Sequence, residues 1–555
     1  FGSRALAQDL PRRANMTTLS VVKARPVQTA VLSVAGALVL VRLARRLARR
    51  WKPGEDVPYA SGWVPLLGHL PMLKKYMQDN NKLAIGRVSI DVKERQGKDI
   101  WALEFFGMKS MVVSSVEAIE EVVTNDPKRF TKNFSSVPTF KISREIFGNG
   151  IFFADTDSED WMVPHGILKA PFSTKGVREL FPLMSEQADL LVKCLKREVG
   201  YGGICHIDHW VTKMAFETIA VCATGTSFGS FEDATDHPFT KAMNDLLLGF
   251  QKMTMCPPAL WNVFFREKMA EIRAYGRLMR DTCVDVIKKR RCQETQKVTA
   301  KKDIMDMMLT ETDPKTGRGM TERQIIDNVL TFLFAGQDST AAAMATLLCL
   351  LCANPRCKEK LMQEIDRVVG SGPLEWDHLS ELHYLDWCIK EGMRLVFGIR
   401  EDRDQVPPAG AIARTANGDQ ILQGRWRVPH GTMVLVGIMA VHYDKKLWGD
   451  DATEFKPERW EHGPPHKYAF LPFAHGPRSC TGREFTLIEQ KITFVKLLQH
   501  FDFRRPPSVD PEPGYNTLKK ENQVYPPFIN SDVEFKASSA FVGLFSAFEL
   551  LERTR

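Results

Sequence analysis

One cysteine near the end of the chain lies among residues whose types suit a metal ligand. The stretch from Phe473 to Gly482 reads FAHGPRSCTG and precedes a helical pattern, REFTLIEQKITFVKLLQHF. A cysteine thiolate binds iron strongly and pushes electron density onto it, which favours O–O cleavage. To persist, such a thiolate needs hydrogen-bond donors and a cover that excludes water. We therefore predict that Cys480 is an iron ligand.

The neighbours of this cysteine supply both requirements. Gly476 and Gly482 would let the backbone turn tightly and bring N–H groups close to the sulfur. Phe473 could cover the thiolate, and Arg478 could pair with an anionic group of a cofactor. A helix from about Thr481 would place its positive end near the sulfur and lower the pKa of the thiol. The alternative is a lone buried cysteine before a helix, which leaves this set of neighbours unexplained.

A carboxylate in the middle of a long apolar helix is the second candidate group. The run from Thr321 to Asn354 predicts one helix, because Thr321 and Gln324 form a capping-box pattern and Asn-Pro ends it. Some thirty residues give a length of roughly 45 Å, enough to cross a domain. Asp338 lies in the middle beside Gly336, where a buried charge and a helix-weakening residue are both costly. That cost indicates a functional role, and the alternatives are a helix-end loop or a satisfied core aspartate.

The elements that must position these groups are predicted to be mainly helical. Short β-like stretches occur between about 80 and 115, and helical patterns dominate from 116 to about 400. The stretch SSVEAIEEVVTN opens one of these helices with a serine cap. Residues 405–443 turn strand-like, a helix follows the cysteine, and the ending is strand-like again. One CxxC, Cys349 to Cys352, lies inside the apolar helical run, so we assign it to helix packing. The sequence therefore predicts a mainly α domain with a small β part.

Composition and charge restrict the class of protein further. The chain has 555 residues, of which 44% are hydrophobic and 26% charged, so a large folded core is expected. Its 11 cysteines, an odd number, argue against a disulfide framework and for a reducing compartment. Residues 1–52 hold eleven Lys or Arg and one acid, a net +10, so the total of +8 leaves about −2 for the rest. The basic excess belongs to a leader, and no nucleic-acid partner is predicted.

The leader has the pattern of a membrane anchor. Val27 to Val41 carries no charge and is followed by the basic run RLARRLARRWKPG. The positive-inside rule then places the body on the cytosolic side, and we expect an endoplasmic reticulum membrane protein. The alternative is a mitochondrial presequence, because the basic run is amphipathic and Met16 to Lys52 contains no acid.

Three segments are predicted along the chain. Residues 1–52 form the basic leader and membrane anchor, 53–536 form one large catalytic domain, and 537–555 form a C-terminal tail. The apolar residues of the tail stand at helical spacing, which predicts a membrane-surface, partner or packing helix, and we assign it no function. These residues are Phe541, Leu544, Phe545, Phe548 and Leu551.

Several motifs in the correct order give the chain a family resemblance. The F-x-x-G-x-R-x-C-x-G pattern around Cys480 resembles the haem-binding signature of the cytochrome P-450 superfamily. AGQDST resembles its oxygen-activation motif, EGMR its E-x-x-R motif, FKPERW its P-E-R-F motif, and WMVPH falls where the family has W-x-x-x-R. The resemblance runs from Pro58 to about Phe535 and implies a single large cytochrome P-450 fold.

The resemblance implies a role for each matching residue. Cys480 would be the axial thiolate on the iron of haem b, and Asp338 and Ser339 would relay protons to bound dioxygen. A helix kink permitted by Gly336 would make room for that dioxygen. The resemblance implies further cofactor-binding residues in two groups. The haem propionates would be held by Trp161, His165, Arg414 and Arg478, and the loop around the sulfur would be formed by Phe473, Gly476 and Gly482. An ion-pair network of structural importance is implied for Glu391, Arg394 and Arg459.

Two departures from the family pattern bear on these roles. Most relatives have threonine at the position of Ser339, and serine keeps the hydroxyl but loses the methyl group that restricts its rotamer. We therefore predict working catalysis with looser coupling of electrons to product. The second departure is the segment VFGIREDRDQ, Val396 to Gln405, which lengthens the path to the pocket loop Ala409 to Ile412.

The stretches RFTKNF, FGNGIFFADTDSEDW and LTFLFAGQDSTAAA are most similar to those of fatty-acid hydroxylases. That similarity implies that Phe152 lies over the haem face and that Phe332, Ala335 and Ala411 line the substrate cavity. Core packing is the alternative for Phe332 and, with less weight, for Phe152. Sterols, terpenoids and xenobiotics are the alternative substrates.

The printed sequence shows no flavin domain, so we expect electrons from a separate NADPH-cytochrome P-450 reductase, or from a ferredoxin if the protein is mitochondrial. The acid–alcohol pair Asp338-Ser339 argues against a reductase-independent isomerase, dehydratase or peroxygenase, because those branches often lose that pair. A non-enzymatic haem carrier or sensor is the remaining alternative.

Overall fold

A computed structural model of the protein describes residues 54–65, 67–79, 84–105, 108–125, 127–133, 138–232, 237–253, 256, 260–294, 303–395, 412–504, 518–520, 523–525 and 547–552. The predicted anchor in residues 1–52, the segment Val396 to Gln405 and the cavity residue Ala411 lie outside this part of the chain.

Helices account for most of the described residues. In the first half they are α1 (Leu70–Asp79), α2 (Ala84–Gln96), α3 (Val116–Thr124), α4 (Pro138–Phe147), α5 (Glu159–Leu168), α6 (Thr174–Cys194), α7 (Ile207–Thr224), α8 (Pro238–Met253), α9 (Trp261–Phe264) and α10 (Arg266–Glu294). In the second half they are α11 (Ile304–Thr310), α12 (Glu322–Ala353), α13 (Pro355–Val368), α14 (His383–Leu395), α15 (Ile438–His442), α16 (Lys445–Trp448) and α17 (Arg483–His500).

The strands are short and form small sheets. They are β1 (Glu55–Asp56), β2 (Ile100–Phe105), β3 (Met108–Val113), β4 (Phe130–Thr131), β5 (Ile204–His206), β6 (Ala413–Ala416), β7 (Gln420–Leu422), β8 (Trp426–Val428), β9 (Met433–Val436), β10 (Phe501–Arg504), β11 (Leu518–Lys520), β12 (Gln523–Tyr525) and β13 (Ala547–Glu552). The largest sheet has five strands in the order β2-β3-β9-β6-β4, with β3 and β9 parallel. This architecture confirms the predicted mainly α fold with a small β part.

Helix ends follow the predicted capping chemistry. Ser115 caps α3 by accepting a hydrogen bond from the backbone N–H of Ala118. Thr321 and Gln324 form a reciprocal capping box at the start of α12, and Asn354 ends that helix. These local signals define the ends of the helix that carries Asp338.

α12 lies inside the largest hydrophobic core and packs along α7. Among the described residues it is the one helix long and apolar enough to span a membrane, and half of its apolar window is buried inside the fold. The core helix of a folded domain passes the same test. The two cysteines of the CxxC pattern lie on α12, with Cys349 buried and Cys352 half-buried, as expected for residues that pack a helix.

The prediction of a helix in the tail is wrong for its described part. Ala547–Glu552 is a strand, β13, and it forms the middle of a three-stranded sheet between β10 and β5. Phe501 is paired with Glu552 in one ladder, and Cys205 with Phe548 in the other. The remaining apolar residues of the tail lie outside the described residues.

Candidate cofactor site

The loop that carries Cys480 is closed by its own backbone. The N–H of Cys480 donates to the carbonyl of Phe473 at 2.8 Å, and the N–H of Ser479 donates to the carbonyl of Gly476 at 3.0 Å. α17 begins three residues after the cysteine, with Gly482 at its N-cap. The frame of residues predicted from the sequence is therefore folded around one thiol.

Gly476 is required by its surroundings, whereas Gly482 is not. Gly476 has φ +80°, and a Cβ added there would lie 2.1 Å from the carbonyl oxygen of Val123 at the end of α3. No other residue fits that contact without displacing the backbone of α3. A Cβ at Gly482 would lie 4.0 Å from the sulfur of Cys480, an ordinary contact.

The Cys480 thiol lies deep in the protein, yet its surface is open. Burial raises the pKa of this thiol, while the backbone N–H of Gly482 and the charges of Lys132 and Arg483 act to lower it. The same side chain counts as exposed by accessible area. Both observations hold if the thiol faces an internal hollow. The predicted lowering of the thiol pKa by the helix is therefore not seen, because desolvation of the thiol outweighs the groups that lower its pKa.

A second open surface lies in the middle of the buried helix α12. Ala335 and Ser339 are exposed although Phe332, Gln337 and Thr340 around them are buried. Residues four apart share one helix face, so these two form a single strip. A strip of exposure inside a core helix is expected where that helix borders a hollow.

Contacts between α12 and α17 bring the two surfaces near each other. The hydroxyl oxygens of Thr340 and Thr486 lie 3.2 Å apart. Thr340 follows Ser339 on α12, and Thr486 is the fourth residue of α17, the helix that begins after the cysteine. The Ser339 hydroxyl donates to the carbonyl of Ala335 at 2.9 Å, and Asp338 is half-buried beside it. The helix that holds the acid–alcohol pair is thus fixed against the helix that begins at the thiol.

Gly336 allows close packing, and α12 runs unbroken through it. A Cβ added at Gly336 would lie 2.8 Å from Cγ1 and 2.9 Å from Cβ of Ile219 on α7. The glycine is therefore explained by the contact between the two helices. The kink expected at this position is not needed to account for it.

Three of the predicted propionate-binding residues form one stack. The rings of Trp161 and His165 on α5 are stacked with centroids 4.2 Å apart, and the Arg478 guanidinium lies 4.9 Å from the centre of the Trp161 ring. Arg478 also donates to the backbone carbonyls of Ile151 and Ala154. Burial, with Lys169 and Arg478 nearby, lowers the pKa of His165 to about 4, so its imidazole is neutral at neutral pH.

The fourth residue of that set, Arg414, lies on β6 and is 2% exposed. It donates from Nη1 to the carbonyl of Ala413. A cation at that depth needs an anionic or carbonyl partner, and the role of Arg414 toward the cofactor stays a prediction.

Lys132 is a candidate that sequence reasoning missed. Its ammonium donates to the Phe152 carbonyl at 2.7 Å, lies 4.2 Å from the Phe152 ring centre, and is close enough to lower the pKa of the Cys480 thiol. It stands in RFTKNF, a stretch noticed only for its resemblance. No local pattern in that stretch indicates the role, because the contact with Phe152 joins segments twenty residues apart.

The two aromatic residues predicted to line the cavity have different surroundings. Phe152 is half-buried, and its ring packs edge-on against the ring of Phe334 with centroids 6.0 Å apart. Phe334 directly precedes the exposed Ala335 on α12. Phe332 is 6% exposed and packs on Phe172 with ring centroids 5.3 Å apart. The surroundings of Phe332 match the alternative of core packing, and its role in the cavity stays a prediction.

Glu391, Arg394 and Arg459 form the predicted ion-pair network. Arg394 binds both carboxylate oxygens of Glu391 at 2.8 Å, and both residues are 0% exposed. Arg459 adds a bond of 2.7 Å to the same carboxylate, and the indole N–H of Trp460 adds one of 2.9 Å. A buried pair satisfied this fully suits a structural role.

His442 links this network to the cysteine loop and was also missed. Burial and the charge of Arg394 lower its pKa to about 3, so the ring is neutral. Its Nε2 accepts the N–H of Leu471 at 3.0 Å, which leaves Nδ1 to donate to the Arg394 carbonyl at 2.9 Å. Leu471 stands two residues before Phe473, so the histidine fastens the start of the loop.

The residues present fit a flat cofactor with a metal centre and an anionic edge. An accessible thiol in a deep hollow can ligate iron, and Arg478, Trp161 and Lys132 offer cationic or N–H donors near the same loop. The strip of Ala335 and Ser339 presents small side chains to the hollow, which leaves room above a planar ring.

Comparison with known proteins agrees with this geometry. The cytochrome P-450 family matches residues 58–527. The chain is 30% identical over 471 residues to the self-sufficient cytochrome P-450 monooxygenase CYP505E3 of Phanerodontia chrysosporium, covering 84% of this chain and 41% of that protein. It is 32% identical over 429 residues to the self-sufficient cytochrome P-450 monooxygenase CYP505U2 of Exserohilum turcicum, covering 76% and 38%.

A third relative is the bifunctional cytochrome P-450/NADPH–P-450 reductase ascE of Acremonium egyptiacum, 30% identical over 411 residues, with 73% of this chain and 37% of that protein covered. The chain thus spans about four tenths of the length of these relatives.

The chain belongs to the cytochrome P-450 family, and its cofactor is haem. Both predictions made from the motifs are confirmed.

Proposed function

We propose that this chain is a haem-thiolate monooxygenase that places one oxygen atom of O2 into a C–H bond of a fatty acid or a related lipid. The observation that carries the proposal is a pair of open surfaces on two helices in contact: the accessible Cys480 thiol before α17 and the strip of Ala335 and Ser339 inside the buried helix α12. The names of the relatives, which are monooxygenases, support the reaction class.

Bound haem supplies the redox metal at which dioxygen is activated. Cys480 would hold that metal, and Arg478, Trp161, His165 and Arg414 would hold the anionic edge of the cofactor. Phe473, Gly476 and Gly482 would shape the loop around the sulfur. Asp338 and Ser339 would move protons at the Ser339 hydroxyl, which already donates to the Ala335 carbonyl and can exchange that bond for one toward the hollow.

The substrate assignment rests on the similarity of three stretches to fatty-acid hydroxylases and on the apolar wall beside Ala335. Phe152 and Phe334 present aromatic surface there, which suits an alkyl chain and does not by itself discriminate against sterols or terpenoids. The fatty acid is therefore the first substrate to test, and these other lipids are the second candidates.

Electrons would come from an NADPH-dependent reductase. The relatives are named as self-sufficient or as fusions with NADPH–P-450 reductase, so the reductase can be covalently attached or separate. Turnover with added NADPH-cytochrome P-450 reductase, with ferredoxin, and with neither distinguishes these sources. Residues 1–52 would attach the protein to the endoplasmic reticulum membrane with the catalytic domain in the cytosol, and a mitochondrial location would instead go with ferredoxin.

The first experiment is a carbon monoxide difference spectrum of the reduced, purified protein. The parent should give the band of a thiolate-ligated haem, and Cys480→Ser should lose that band while a distant substitution, Arg273→Gln, keeps it. Retention of the band and of reactivity in Cys480→Ser would refute the assignment of the ligand.

The second experiment is titration with lauric, myristic and palmitic acids. Displacement of iron-bound water should shift the Soret band to the blue, and NADPH and O2 should then be consumed with formation of a hydroxylated acid. Absence of any shift across the panel would remove the fatty-acid assignment. Product formation without reductase or NADPH would instead favour an isomerase or peroxygenase. The absence of turnover with any lipid would favour a haem carrier or sensor.

A further inference from the structure

A buried carboxylate on α12 fastens the loop that presents Phe152. Asp327 is 1% exposed, and its Oδ1 accepts from Nη2 of Arg280 on α10 at 2.6 Å. Its Oδ2 accepts from the backbone N–H of Asn149 at 2.9 Å and lies 3.4 Å from Nη1 of Arg323. One carboxylate therefore joins α10, α12 and the loop 148–151 that follows α4.

The backbone of that loop lies directly on the ion pair. Gly148 has φ +75°, and a Cβ added there would lie 2.1 Å from Oδ1 of Asp327 and 2.6 Å from Nη2 of Arg280. A Cβ at Gly150 would lie 2.1 Å from Oγ1 of Thr331. Glycine is required at both positions because polar groups of Asp327, Arg280 and Thr331 fill the space that a Cβ would need.

A second anchor is the next residue of α12, Asn328. The backbone N–H of Ile151 donates to Oδ1 of Asn328 at 2.9 Å, and Asn328 is 0% exposed. The next residue is Phe152, whose ring meets Phe334 beside the open strip of α12. A displacement of the loop relative to α12 would therefore move the Phe152 ring relative to the hollow.

We propose that Asp327 and Arg280 are a positioning pair that sets where Phe152 stands and so selects which ligands the hollow accepts. The proposal rests on the proposed function in one respect, namely that Phe152 lines the substrate cavity. Its physical basis is that a buried carboxylate cannot separate from its cation and its backbone donor without remaining charged and unsolvated. The pair therefore tolerates one placement of the loop.

The test compares two iron-binding probes, imidazole and phenylimidazole, on the purified haem-loaded protein. Imidazole needs little room beside the metal, whereas phenylimidazole must place its ring against the cavity wall. The ratio of the two dissociation constants, read from the Soret shift, therefore reports on the wall. Phe152→Ala removes the ring and so gives the ratio expected when the ring no longer borders the cavity.

Asp327→Asn keeps the shape of the side chain and removes its charge, and Arg280→Gln removes the cation. Each should change the ratio by about tenfold, in the direction of Phe152→Ala, as expected when a hydrophobic pocket gains or loses the space of about one methylene group. The double variant should show no larger change than Asp327→Asn alone, because Asp327→Asn already removes the charge with which Arg280 pairs. Arg280→Lys should fall closer to the parent.

Arg273→Gln is the matched control. Arg273 lies on the same helix and pairs with Glu145 of α4 at 2.7 Å, without contacting the loop. Its substitution should leave the ratio unchanged. The proposal fails if Asp327→Asn and Arg280→Gln lower the urea midpoint but leave the ratio at the parent value, or if their effects on the ratio add independently.

The azole ratio does not depend on the natural substrate. If fatty acids give no spectral shift while the ratio moves as expected, the substrate assignment is lost and the positioning pair stands. If fatty acids bind and the ratio does not move, the positioning pair is lost and the proposed function stands.

Discussion

At the scale of single residues, the side chains that would do chemistry differ in how much of their setting is local. The Ser339 hydroxyl bonds to a carbonyl one turn away on its own helix. The Cys480 thiol depends on a loop that is closed by Phe473 and fastened by His442. Reactivity at the thiol is therefore more sensitive to distant substitutions than reactivity at the hydroxyl.

Ser339→Ala should uncouple electron use from product formation. The substitution removes the hydroxyl that would carry the proton and leaves the helix intact, because alanine is the better helix former. We expect at least about a tenfold rise in peroxide formed per product, because a positioned acid–base group typically contributes more than this to the rate of proton transfer. Peroxide, NADPH and product should be measured together. An unchanged ratio would remove the relay role, and Ser339→Thr should raise coupling above the parent.

His442→Gln should flatten the acid dependence of stability. The folded pKa of about 3 lies below the unfolded value of about 6.5, so the unfolded chain gains a proton that the native protein does not as the pH falls through this window. Stability from the neutral ring is present above about pH 6.5 and decreases toward pH 3, by about 2 kcal/mol at pH 5. Urea unfolding of parent and variant at pH 7 and pH 5 measures the difference. Equal losses in both proteins would contradict the assignment.

At the scale of elements, the cysteine loop is fixed in place by the end of α3. Gly476 meets the Val123 carbonyl with no room for a side chain, while Gly482 has an ordinary neighbour. Two glycines of one motif therefore have unequal importance in the folded chain. The motif alone does not reveal this difference, because it depends on α3, more than three hundred residues earlier in the chain.

Gly476→Ala should destabilise the protein by about 2–4 kcal/mol, since it combines a strained positive φ with a backbone clash. Gly482→Ala, the matched control, should cost below about 1 kcal/mol. Thermal unfolding and haem content of the two purified variants provide the comparison. Equal losses in both would show that the contact with α3 is not what the glycine provides.

Local signals in the sequence were sufficient for much of the fold, because they act over a few residues. Ser115 and Thr321 cap the helices that their positions predict. The strand β13 was not predictable in this way, since its partners at 204–206 and 501–504 are remote in the chain. Lys132 and His442 were missed for the same reason: each acts through a backbone carbonyl or N–H that another element supplies.

At the scale of the whole molecule, β13 closes a sheet between distant parts of the chain. It pairs with β10 on one side and with β5 on the other. Phe501 and Phe503 of β10 are 0% exposed, so the sheet adjoins the main core. The last strand therefore connects α17, the helix that begins at the cysteine, to the region between α6 and α7.

Deletion of residues 537–555 should lower the thermal midpoint by several degrees and reduce the haem-loaded yield, because two strand ladders lose their shared partner. The control is a chain that stops after Glu552 and keeps β13. Haem absorbance and circular dichroism during heating are the measurements. Identical melting of the two shortened chains would show that the strand contributes nothing.

The contact between Gly336 and Ile219 limits how small molecules can travel to and from the haem. With less than a methyl group of clearance, α12 and α7 behave as one rigid wall and cannot slide past each other. We therefore expect ligand traffic to use elements other than these two helices. Dissociation rates should respond to restraints placed on those elements and remain unaffected by a tether between α7 and α12.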